Sequence, residues 1–370
     1  MEDKSNAKLS ARLRERINLD GAISFHDWMQ AALYDEREGY YRRTGLKRWG
    51  REGDYRTSPE QSLLFAQTFT RFFATLYEEL EEPSSWAIWE AGAGAGHFAK
   101  GVLETLKRSF PRIFSATRYI VDEISPDARL LIRDRLASFG SRVEYFNLSE
   151  SVNEREACIV FANELLDAFP VHRVTSRDGR LRELFVGMND AGEFVWVERN
   201  LSTPLLSDYL ERLNVKLAEG QLVEINLQAV GWLKQAALAF KRGYLVLVDY
   251  GAEANHLYDM SLRPQGSLRA FRRHRFVEDV LQEPGEQDIT TTIDWTTVKK
   301  VCRDAGLEIV SFERQDRFLL RAGLLEELAQ AKAEATSEAA ALSLSTTVRE
   351  MILPGGMSES FQVLVARKQV

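Results

Sequence analysis

The amino-acid sequence predicts an α/β protein with a mostly parallel sheet whose last strand is antiparallel, an N-terminal helical segment and an inserted β-hairpin and helical subdomain. From Trp86 onward, short apolar runs alternate with helical periodicity, as in parallel strands joined by crossover helices. Between Val171 and about Asn200 the pattern changes to alternation, with turn residues at Asp178-Gly179 and Asp190-Ala-Gly192. These observations indicate an antiparallel insertion within a parallel-sheet framework.

The same patterns divide the chain along its length. We expect an N-terminal helical cap or lid over residues 1–85, a main α/β domain over residues 86–170 and 241–370, and the insertion, on the substrate side, over residues 171–240. In the cap, helical periodicity covers residues 8–19 and 24–34, and Ser58 suits the N-cap of a further helix. The segment from Gly39 to Pro59 joins these helices outside any regular element, so we expect it to close over a bound ligand.

The elements of the main domain follow from runs rich in Val, Ile and Leu and from the helical patterns between them. Strands are expected at residues 86–89, 118–121, 142–147, 157–162, 244–250, 307–312 and 361–366, and helices at about 98–110, 125–140, 295–305 and 322–352. In the insertion, helices are expected up to residue 241, with a break near Gly220.

A long loop expected over residues 252–292 contains a cluster of arginines. The acidic character of the whole chain favours a local anion or peptide site over an RNA surface for this cluster. The arginines of the loop are Arg263, Arg269, Arg272, Arg273 and Arg275.

Composition limits the classes of function. The chain has 370 residues, of which 45% are hydrophobic and 28% charged, and a formal net charge of −7 argues against a general nucleic-acid binder. Cys158 and Cys302 read as reduced core residues, and the scattered histidines show no metal-binding spacing. No apolar run reaches membrane length, and the N-terminus lacks the apolar core of a secretory signal. A cytoplasmic location is therefore the default expectation.

The strongest functional signal is the stretch Trp86-Ala-Ile-Trp-Glu-Ala-Gly-Ala-Gly-Ala-Gly-His-Phe98. A strand that turns through glycines into a helix brings bare backbone and a helix N-terminus close to a bound nucleotide. Gly94-Ala-Gly96-His-Phe-Ala99 is a passable dinucleotide fingerprint, so the glycines alone leave a nicotinamide or flavin cofactor open. Glu90, two residues before Gly92, favours a different ligand, because a carboxylate suits an ammonium group and repels a pyrophosphate.

Further polar residues follow two other predicted strands. The second strand ends in Asp122-Glu123, and an acid at this position holds the ribose diol in many nucleotide sites. The fourth strand leads into Asn163-Glu164, with Asp167 shortly after, at the edge where parallel sheets present ligands. The alternative interpretation is structural: Glu123 belongs to a solvated strand end, and the later residues cap a helix.

Taken together, these segments resemble the MidA-type family of S-adenosylmethionine (SAM) dependent methyltransferases, over a span from about Ile23 to Ala366. Each segment alone is weak evidence for the family, whereas all of them in this order are specific for it. The matching segments are Gly39-Tyr-Tyr41, Gly53-Asp-Tyr-x-Thr-Ser-Pro59, Glu90-x-Gly-x-Gly-x-Gly96, Glu123, Asn163-Glu-Leu-Leu-Asp-Ala-Phe-Pro-Val-His-Arg173, Val248-Asp-Tyr-Gly251, Gly266-Ser-Leu-Arg-Ala-Phe-x-x-His274 and Gly285-x-x-Asp-Ile-Thr290.

The resemblance implies a class I methyltransferase Rossmann-like sheet and SAM as cofactor. The implied cofactor residues are Glu90, Gly92, Gly94, Gly96, Glu123 and Asn147, and the implied substrate or lid residues are Asp54, Tyr55, Thr57, Ser58, His172 and His274. The chain departs from the family at some positions: Ala93 and Ala95 replace other residues of the glycine motif, Asn147 replaces a frequent Asp at the adenine position, and Thr292 replaces a frequent His.

The mitochondrial members of this family dimethylate an arginine of a partner protein. The resemblance therefore implies a protein substrate, such as a respiratory-complex subunit, and no nucleic-acid partner. A carboxylate could gather the guanidinium charge and free one nitrogen for attack, and Glu164 is the candidate, with Asn163 beside it and Asp167 second. The alternatives are a nucleotide-dependent oxidoreductase and a catalytically silent SAM-binding assembly factor.

Overall fold

The computed structural model describes residues 3–45, 63–146, 154–272, 275–353 and 360–369. Within these ranges the chain forms two compact units. The parallel-sheet unit takes its described residues from Arg56–Leu165, Leu233–Gly251 and Val301–Val370. The N-terminal unit takes its described residues from Met1–Tyr55, Leu166–Trp232 and Ala252–Lys300. The chain therefore passes between the units several times, and the domain boundaries expected from the sequence stay a prediction.

The described strands and helices are numbered in chain order. The strands are β1 Ile23–Ser24, β2 Trp86–Ala91, β3 Thr117–Asp122, β4 Val143–Phe146, β5 Arg155–Asn163, β6 His172–Arg177, β7 Arg180–Met188, β8 Phe194–Arg199, β9 Leu222–Ile225, β10 Phe240–Ala252, β11 Arg269–Arg272, β12 Arg275–Val277, β13 Asp288–Thr290, β14 Ile293–Asp294, β15 Glu308–Arg314 and β16 Phe361–Lys368. The helices are α1 Asp3–Asp20, α2 Phe25–Tyr34, α3 Leu63–Glu79, α4 His97–Ser109, α5 Pro111–Ala116, α6 Pro126–Leu136, α7 Leu205–Arg212, α8 Leu227–Leu238, α9 Ala254–Leu257, α10 Trp295–Asp304, α11 Gln315–Arg321, α12 Leu324–Ala333 and α13 Glu338–Ile352.

The parallel-sheet unit is built on a sheet with the strand order β15-β16-β10-β5-β2-β3-β4. Strands β10, β5, β2, β3 and β4 pair in parallel. Strand β16 runs antiparallel between β10 and β15. The predicted α/β fold, with a mostly parallel sheet and an antiparallel last strand, is therefore confirmed.

Aromatic packing holds the first helices of this unit onto the sheet. In α3, Phe69 and Phe73 are fully buried and contact the ring of Phe161 in β5, with centroids 5.2 and 5.7 Å apart. Phe98 of α4 stacks on Phe161 with a centroid distance of 4.3 Å. Because these large rings are buried against β5, they fix the start of α4 relative to the end of the neighbouring strand β2.

The N-terminal unit contains two antiparallel sheets. The larger has the order β1-β7-β6-β9, with β8 also paired to β7, and the smaller has the order β12-β11-β13. Its core includes Phe25, Trp28 and Met29 of α2, which are fully buried together with Val171 and Val186. The antiparallel hairpins expected from residue 171 are thus present.

The structure corrects the sequence-based expectations in two regions. Between residues 205 and 238 the expected helices are interrupted by β9, which pairs with β6. The expected loop over residues 252–292 contains α9 and the short strands β11, β12 and β13. Strands of three or four residues carry too little periodicity to be recognised locally, because their stability comes from the neighbouring strands.

Candidate functional site

The turn after β2 needs glycine for its backbone conformation. Gly92, Gly94 and Gly96 have φ angles of 71°, 53° and 76°, in the left-handed region where a Cβ atom is costly. A Cβ atom on Gly92 would lie 3.0 Å from Cδ1 of Leu165, and one on Gly96 would lie 2.9 Å from Cγ1 of Ile132. The turn therefore presents bare backbone, and α4 starts directly after it at His97.

Glu90 lies near the end of β2 with its carboxyl group in the interior. The residue is only 4% exposed, and Oε2 accepts a hydrogen bond of 2.7 Å from the hydroxyl of Tyr119. Burial raises the pKa of Glu90 to about 8, although the Tyr119 hydrogen bond acts in the opposite direction. A buried carboxyl of this kind is stable as a neutral acid, or as a carboxylate paired with a cation.

Glu123 follows β3 and holds the glycine turn in place. Its Oε2 accepts a hydrogen bond of 2.7 Å from the backbone N–H of Gly94, and its Oε1 accepts one of 2.7 Å from Ser125. Burial raises the pKa of Glu123 to about 7, against the effect of these two bonds. Each oxygen retains a second lone pair, so the carboxylate can also accept from a ribose hydroxyl.

One face of α6 braces the same turn, a feature that the sequence analysis missed. Arg135 donates a hydrogen bond to the carbonyl of Ala95, and Nε of Arg129 donates to the carbonyl of Glu123. Ile132 lies between them and packs against Gly96. Because these side chains recur every three residues, they share a helix face, and that spacing is the signal that could have identified them.

Asn163 and Glu164 lie at the carboxyl end of β5. Glu164 has a φ angle of 51°, and its backbone N–H donates a hydrogen bond of 2.9 Å to the carbonyl of Val248. Nδ2 of Asn163 donates to Oε1 of Glu164 over 3.0 Å, while Oδ1 of Asn163 is buried without a hydrogen-bond partner among the described residues. A left-handed non-glycine residue costs about 1–3 kcal/mol, and such strain is concentrated at functional sites.

Two other candidates belong to the N-terminal unit. Asp167 is buried in the short 3₁₀ turn Leu166–Ala168. Nδ1 of His172 lies 2.7 Å from Oε1 of Glu183, a fully buried residue that also accepts a hydrogen bond from the N–H of Ser202. The imidazole also stacks on that of His26, with a centroid distance of 4.7 Å. These contacts hold His172 in the larger sheet, and its expected role towards the substrate stays a prediction.

The remaining candidates fall in segments 46–62, 147–153 and 273–274 of the sequence. The expected adenine residue, the residues of the expected lid motif and the last expected substrate residue lie outside the described residues: Asn147, Asp54, Tyr55, Thr57, Ser58 and His274. The described start of the lid segment includes Tyr40, which is fully buried in the core of the N-terminal unit. Closure of the lid therefore stays a prediction.

The carboxyl edge of strands β2, β3 and β5 fits a SAM-type ligand better than a dinucleotide. It combines a turn whose glycines leave no room for Cβ atoms, two buried carboxyl groups and the unsatisfied Oδ1 of Asn163. Glu90 can hold an ammonium group, and Glu123 can accept from a ribose. Arg129 and Arg135 of α6, which contact the turn and the residue after β3, donate to the backbone carbonyls of Glu123 and Ala95. This donor and acceptor set matches a cationic amino acid joined to a nucleoside.

Among the described residues, no group of three or more His, Cys, Asp or Glu side chains could hold a metal ion. None of the helices described above is both long and apolar enough to cross a membrane.

Solved structures show the same fold with a related ligand. A crystal structure from Burkholderia thailandensis, with S-adenosyl-homocysteine bound, is 29% identical and superposes with a TM-score of 0.87. The match covers 98% of this chain and 92% of that chain. S-adenosyl-homocysteine is the demethylated form of SAM, so this comparison supports SAM as the cofactor.

Curated relatives correct the expected location. The mitochondrial protein arginine methyltransferase NDUFAF7 homolog of Drosophila melanogaster is 25% identical, over 82% of this chain and 72% of the relative. The mitochondrial NDUFAF7 of Danio rerio is 23% identical, over 81% and 73%. Because these relatives are mitochondrial proteins, the expectation of a cytoplasmic location is contradicted. That expectation rested on the absence of a recognisable targeting signal, which does not locate a protein.

Finally, a family of S-adenosyl-L-methionine-dependent methyltransferases matches residues 68–312, which is more than half of the chain. This range contains the glycine turn, both buried acids and the end of β5. The match agrees with the fold, with the carboxyl edge of the sheet and with the SAH-bound crystal structure. The chain belongs to this family and is a SAM-dependent methyltransferase.

Proposed function

We propose that this enzyme transfers methyl groups from SAM to the guanidinium group of an arginine in a partner protein. The single observation that carries the proposal is the carboxylate of Glu164 at the end of β5, strained into a left-handed conformation and bonded to Asn163. The relatives from Drosophila melanogaster and Danio rerio, which are named protein arginine methyltransferases, support the same acceptor.

The acceptor chemistry explains why a carboxylate is needed. SAM supplies an electrophilic methyl group on a sulfonium, and in-line transfer requires an acceptor lone pair aligned with that methyl group. As the nitrogen–methyl bond forms, the carbon–sulfur bond breaks with its electron pair left on sulfur, so S-adenosyl-homocysteine leaves, and the methylated nitrogen releases one proton. A guanidinium is charged and delocalised, so its nitrogens are poor nucleophiles. A carboxylate bonded to two of its N–H groups would concentrate the positive charge there and leave the third nitrogen with more lone-pair character.

The residues at the end of β5 would share this task. In our proposal Glu164 receives the guanidinium, and the Nδ2–H of Asn163 fixes the orientation of that carboxylate. The buried Oδ1 of Asn163 would accept a hydrogen bond from another guanidinium N–H and so lose its unfavourable unpaired state. Asp167 remains the second candidate for holding the acceptor.

The residues around the glycine turn would hold the cofactor. Glu90 would pair with the ammonium group, Glu123 would accept from the ribose, and the N–H groups of the turn would face the amino-acid half. Asn147 would lie at the adenine, as the family resemblance implies. The partner is a protein, and a respiratory-complex subunit is our first candidate because the resemblance to mitochondrial members of the family implies such a partner.

Mass spectrometry can test the acceptor directly. Purified enzyme is added to a cell lysate with SAM that carries an isotopically labelled methyl group, and the labelled proteins are digested. We expect labelled methylarginine in few proteins, and no label above background with Glu164→Gln. Label confined to lysine, to carboxyl groups or to nucleic acid would contradict the arginine proposal, and so would a complete lack of label.

A further inference from the structure

Two arginines of the N-terminal unit converge on one hydroxyl group. Nη1 of Arg263 donates a hydrogen bond to Oγ1 of Thr292 over 3.3 Å, and Nη2 of Arg269 donates to the same oxygen over 3.2 Å. Thr292 is only 8% exposed, whereas Arg263 is half-buried and Arg269 is exposed. With both lone pairs of Oγ1 engaged, the hydroxyl proton of Thr292 is left to donate to another group.

A buried hydrogen-bond network fixes the position of this hydroxyl. The N–H of Thr292 donates to Oγ of Ser267 over 3.1 Å, and the N–H of Ser267 donates to Oε2 of Glu224 over 2.6 Å. Gly266 adopts a left-handed conformation, with φ of 79°, where a Cβ atom would lie 2.4 Å from Oε1 of Glu224. The network therefore holds in place the hydroxyl to which both arginines donate, which reduces the conformational entropy lost when a ligand binds.

The acid of this network is already neutralised by another arginine. Nε of Arg173 donates to Oε1 of Glu224 over 3.1 Å, and both residues are 8% exposed. Glu224 thus forms a buried ion pair with Arg173 and makes no direct hydrogen bond to Arg263 among the described residues. It also cannot readily replace Glu164 as the carboxylate that holds an acceptor arginine.

The positive charge of Arg263 is therefore poorly compensated. Thr292 is its hydrogen-bond acceptor in the described chain, and no described carboxylate forms an ion pair with it. Burial lowers the pKa of Arg263, and the nearby charge of Arg269 lowers it further, while Glu224 acts in the opposite direction. Two guanidinium groups that share a neutral acceptor repel each other, and an anion placed between them would remove that repulsion.

We propose that Arg263, Arg269 and Thr292 bind a carboxylate side chain of the acceptor protein. Two guanidinium forks and one hydroxyl supply donors on several sides of a planar carboxylate, and charge-assisted bonds of this type are the stronger ones in proteins. This inference rests on the proposed function and deepens it, because it predicts that the acceptor protein carries an acidic residue in addition to the methylated arginine. The test measures the binding of a ligand to this site, so its outcome does not depend on methyl transfer.

The test uses the full chain with ¹⁵N-labelled arginine and follows the Nε–Hε resonances by NMR. The probes are a hexaglutamate peptide and, as the neutral match, a hexaglutamine peptide. We expect saturable shifts of the Arg263 and Arg269 resonances with hexaglutamate only. The matched control is Arg272→Gln, because Arg272 lies in the same strand as Arg269 and pairs with Glu283.

Arg269→Gln should weaken hexaglutamate binding about tenfold or more, the scale for losing one charge-assisted hydrogen bond. Arg263→Gln should do the same, and Arg263→Lys should restore part of the affinity, while circular dichroism reports whether each variant is folded. Unchanged binding in a folded Arg269→Gln variant would overturn the proposal. Inorganic phosphate that saturates the same resonances at lower concentration than hexaglutamate would overturn the carboxylate assignment.

Discussion

The hydroxyl of Tyr119 donates a hydrogen bond to Oε2 of Glu90 across two adjacent parallel strands, with a distance of 2.7 Å. In the register of β2 and β3, Tyr119 aligns with Ile88. Ile88 and Glu90 share one face of β2, because side chains alternate along a strand. Tyr119 therefore reaches Glu90 along the sheet, and it is the only hydrogen-bond donor to this carboxyl among the described residues.

Tyr119→Phe should weaken SAM binding at neutral pH by about 1 kcal/mol, the typical contribution of one hydrogen bond. The hydroxyl stabilises the ionised form of Glu90, and only that form attracts the ammonium group of the cofactor. Calorimetric titration with SAM measures the change. Tyr145→Phe is the matched control, since Tyr145 is 42% exposed, and equal losses in both variants would contradict a specific role for Tyr119.

Cofactor binding should strengthen as the pH rises from about 6 to about 7.5, below the pH near 8 at which the α-amino group of SAM loses its own proton. Burial raises the pKa of Glu90 to about 8 and that of Glu123 to about 7, so both carboxyls are largely protonated at pH 6. A protonated carboxyl cannot pair with an ammonium group, so binding in this pH range must release protons. Titrations in buffers with different ionisation enthalpies count these protons. Glu90→Gln should flatten the dependence, and a wild-type profile that is flat or falls with pH would refute the assignment.

The stability of the free protein should change with pH in the opposite direction. Glu90 and Glu123 have pKa values above the ordinary value of 4.5, so the folded state holds protons that the unfolded state loses. The stabilisation is complete below about pH 4.5 and is lost as the pH rises towards 8. The contribution of Glu90 appears as the difference between the melting temperature of a Glu90→Gln variant and that of the wild type, measured from pH 5 to pH 8. The variant should gain on the wild type as the pH rises, and this gain should shrink as the pH falls.

Glu123→Ala should weaken SAM binding by about 1.5–3 kcal/mol, the scale for a hydrogen bond to a charged group. The same change removes the acceptor for the N–H of Gly94, so it should also loosen the glycine turn. Hydrogen exchange of residues 92–96 would report the loosening, and calorimetry would measure the affinity for SAM. Asp122→Ala is the control and should lower this affinity less. Equal losses of affinity would show that the ribose is held by another acid.

Glu164→Gln should lower the turnover rate at least about 100-fold, the scale for losing one preorganised electrostatic group. SAM affinity and folding should be nearly unchanged, because the amide preserves the shape of the side chain. The rate is measured by single-turnover kinetics, with a peptide that contains the methylated arginine of a protein labelled in the lysate experiment. Asp167→Asn should have a much smaller effect, and a near-normal rate for Glu164→Gln would exclude the carboxylate mechanism.

The strain at Glu164 allows a second test at the same residue. Glu164→Gly removes the Cβ penalty of a φ angle of 51° and should raise the free energy of unfolding by about 1 kcal/mol. Activity should be lost in the same variant, because the carboxylate is gone. Urea denaturation measures the stability. A less stable variant would mean that contacts of the side chain outweigh the backbone strain.

Local patterns were enough to predict the parts of the site that lie within single segments. The order of strand, acid and alternate glycines from Trp86 to Phe98 predicted the turn, and the angles at Gly92, Gly94 and Gly96 agree. The apolar runs predicted the parallel sheet, and the ends of those runs pointed to Glu123 and Glu164. Such features depend on the chemistry of neighbouring residues, so the sequence by itself determined the fold class and pointed to the edge of the sheet that we propose as the cofactor site.

Only the tertiary structure decided how distant residues meet. The contact of Tyr119 with Glu90 depends on the register of two strands, and the convergence of Arg263 and Arg269 on Thr292 depends on short strands that local periodicity does not reveal. The left-handed conformation of Glu164 is likewise imposed by its surroundings, since glutamate has no intrinsic preference for it. Contacts and strain of this kind arise from packing between segments, and therefore no local pattern in the sequence determines them.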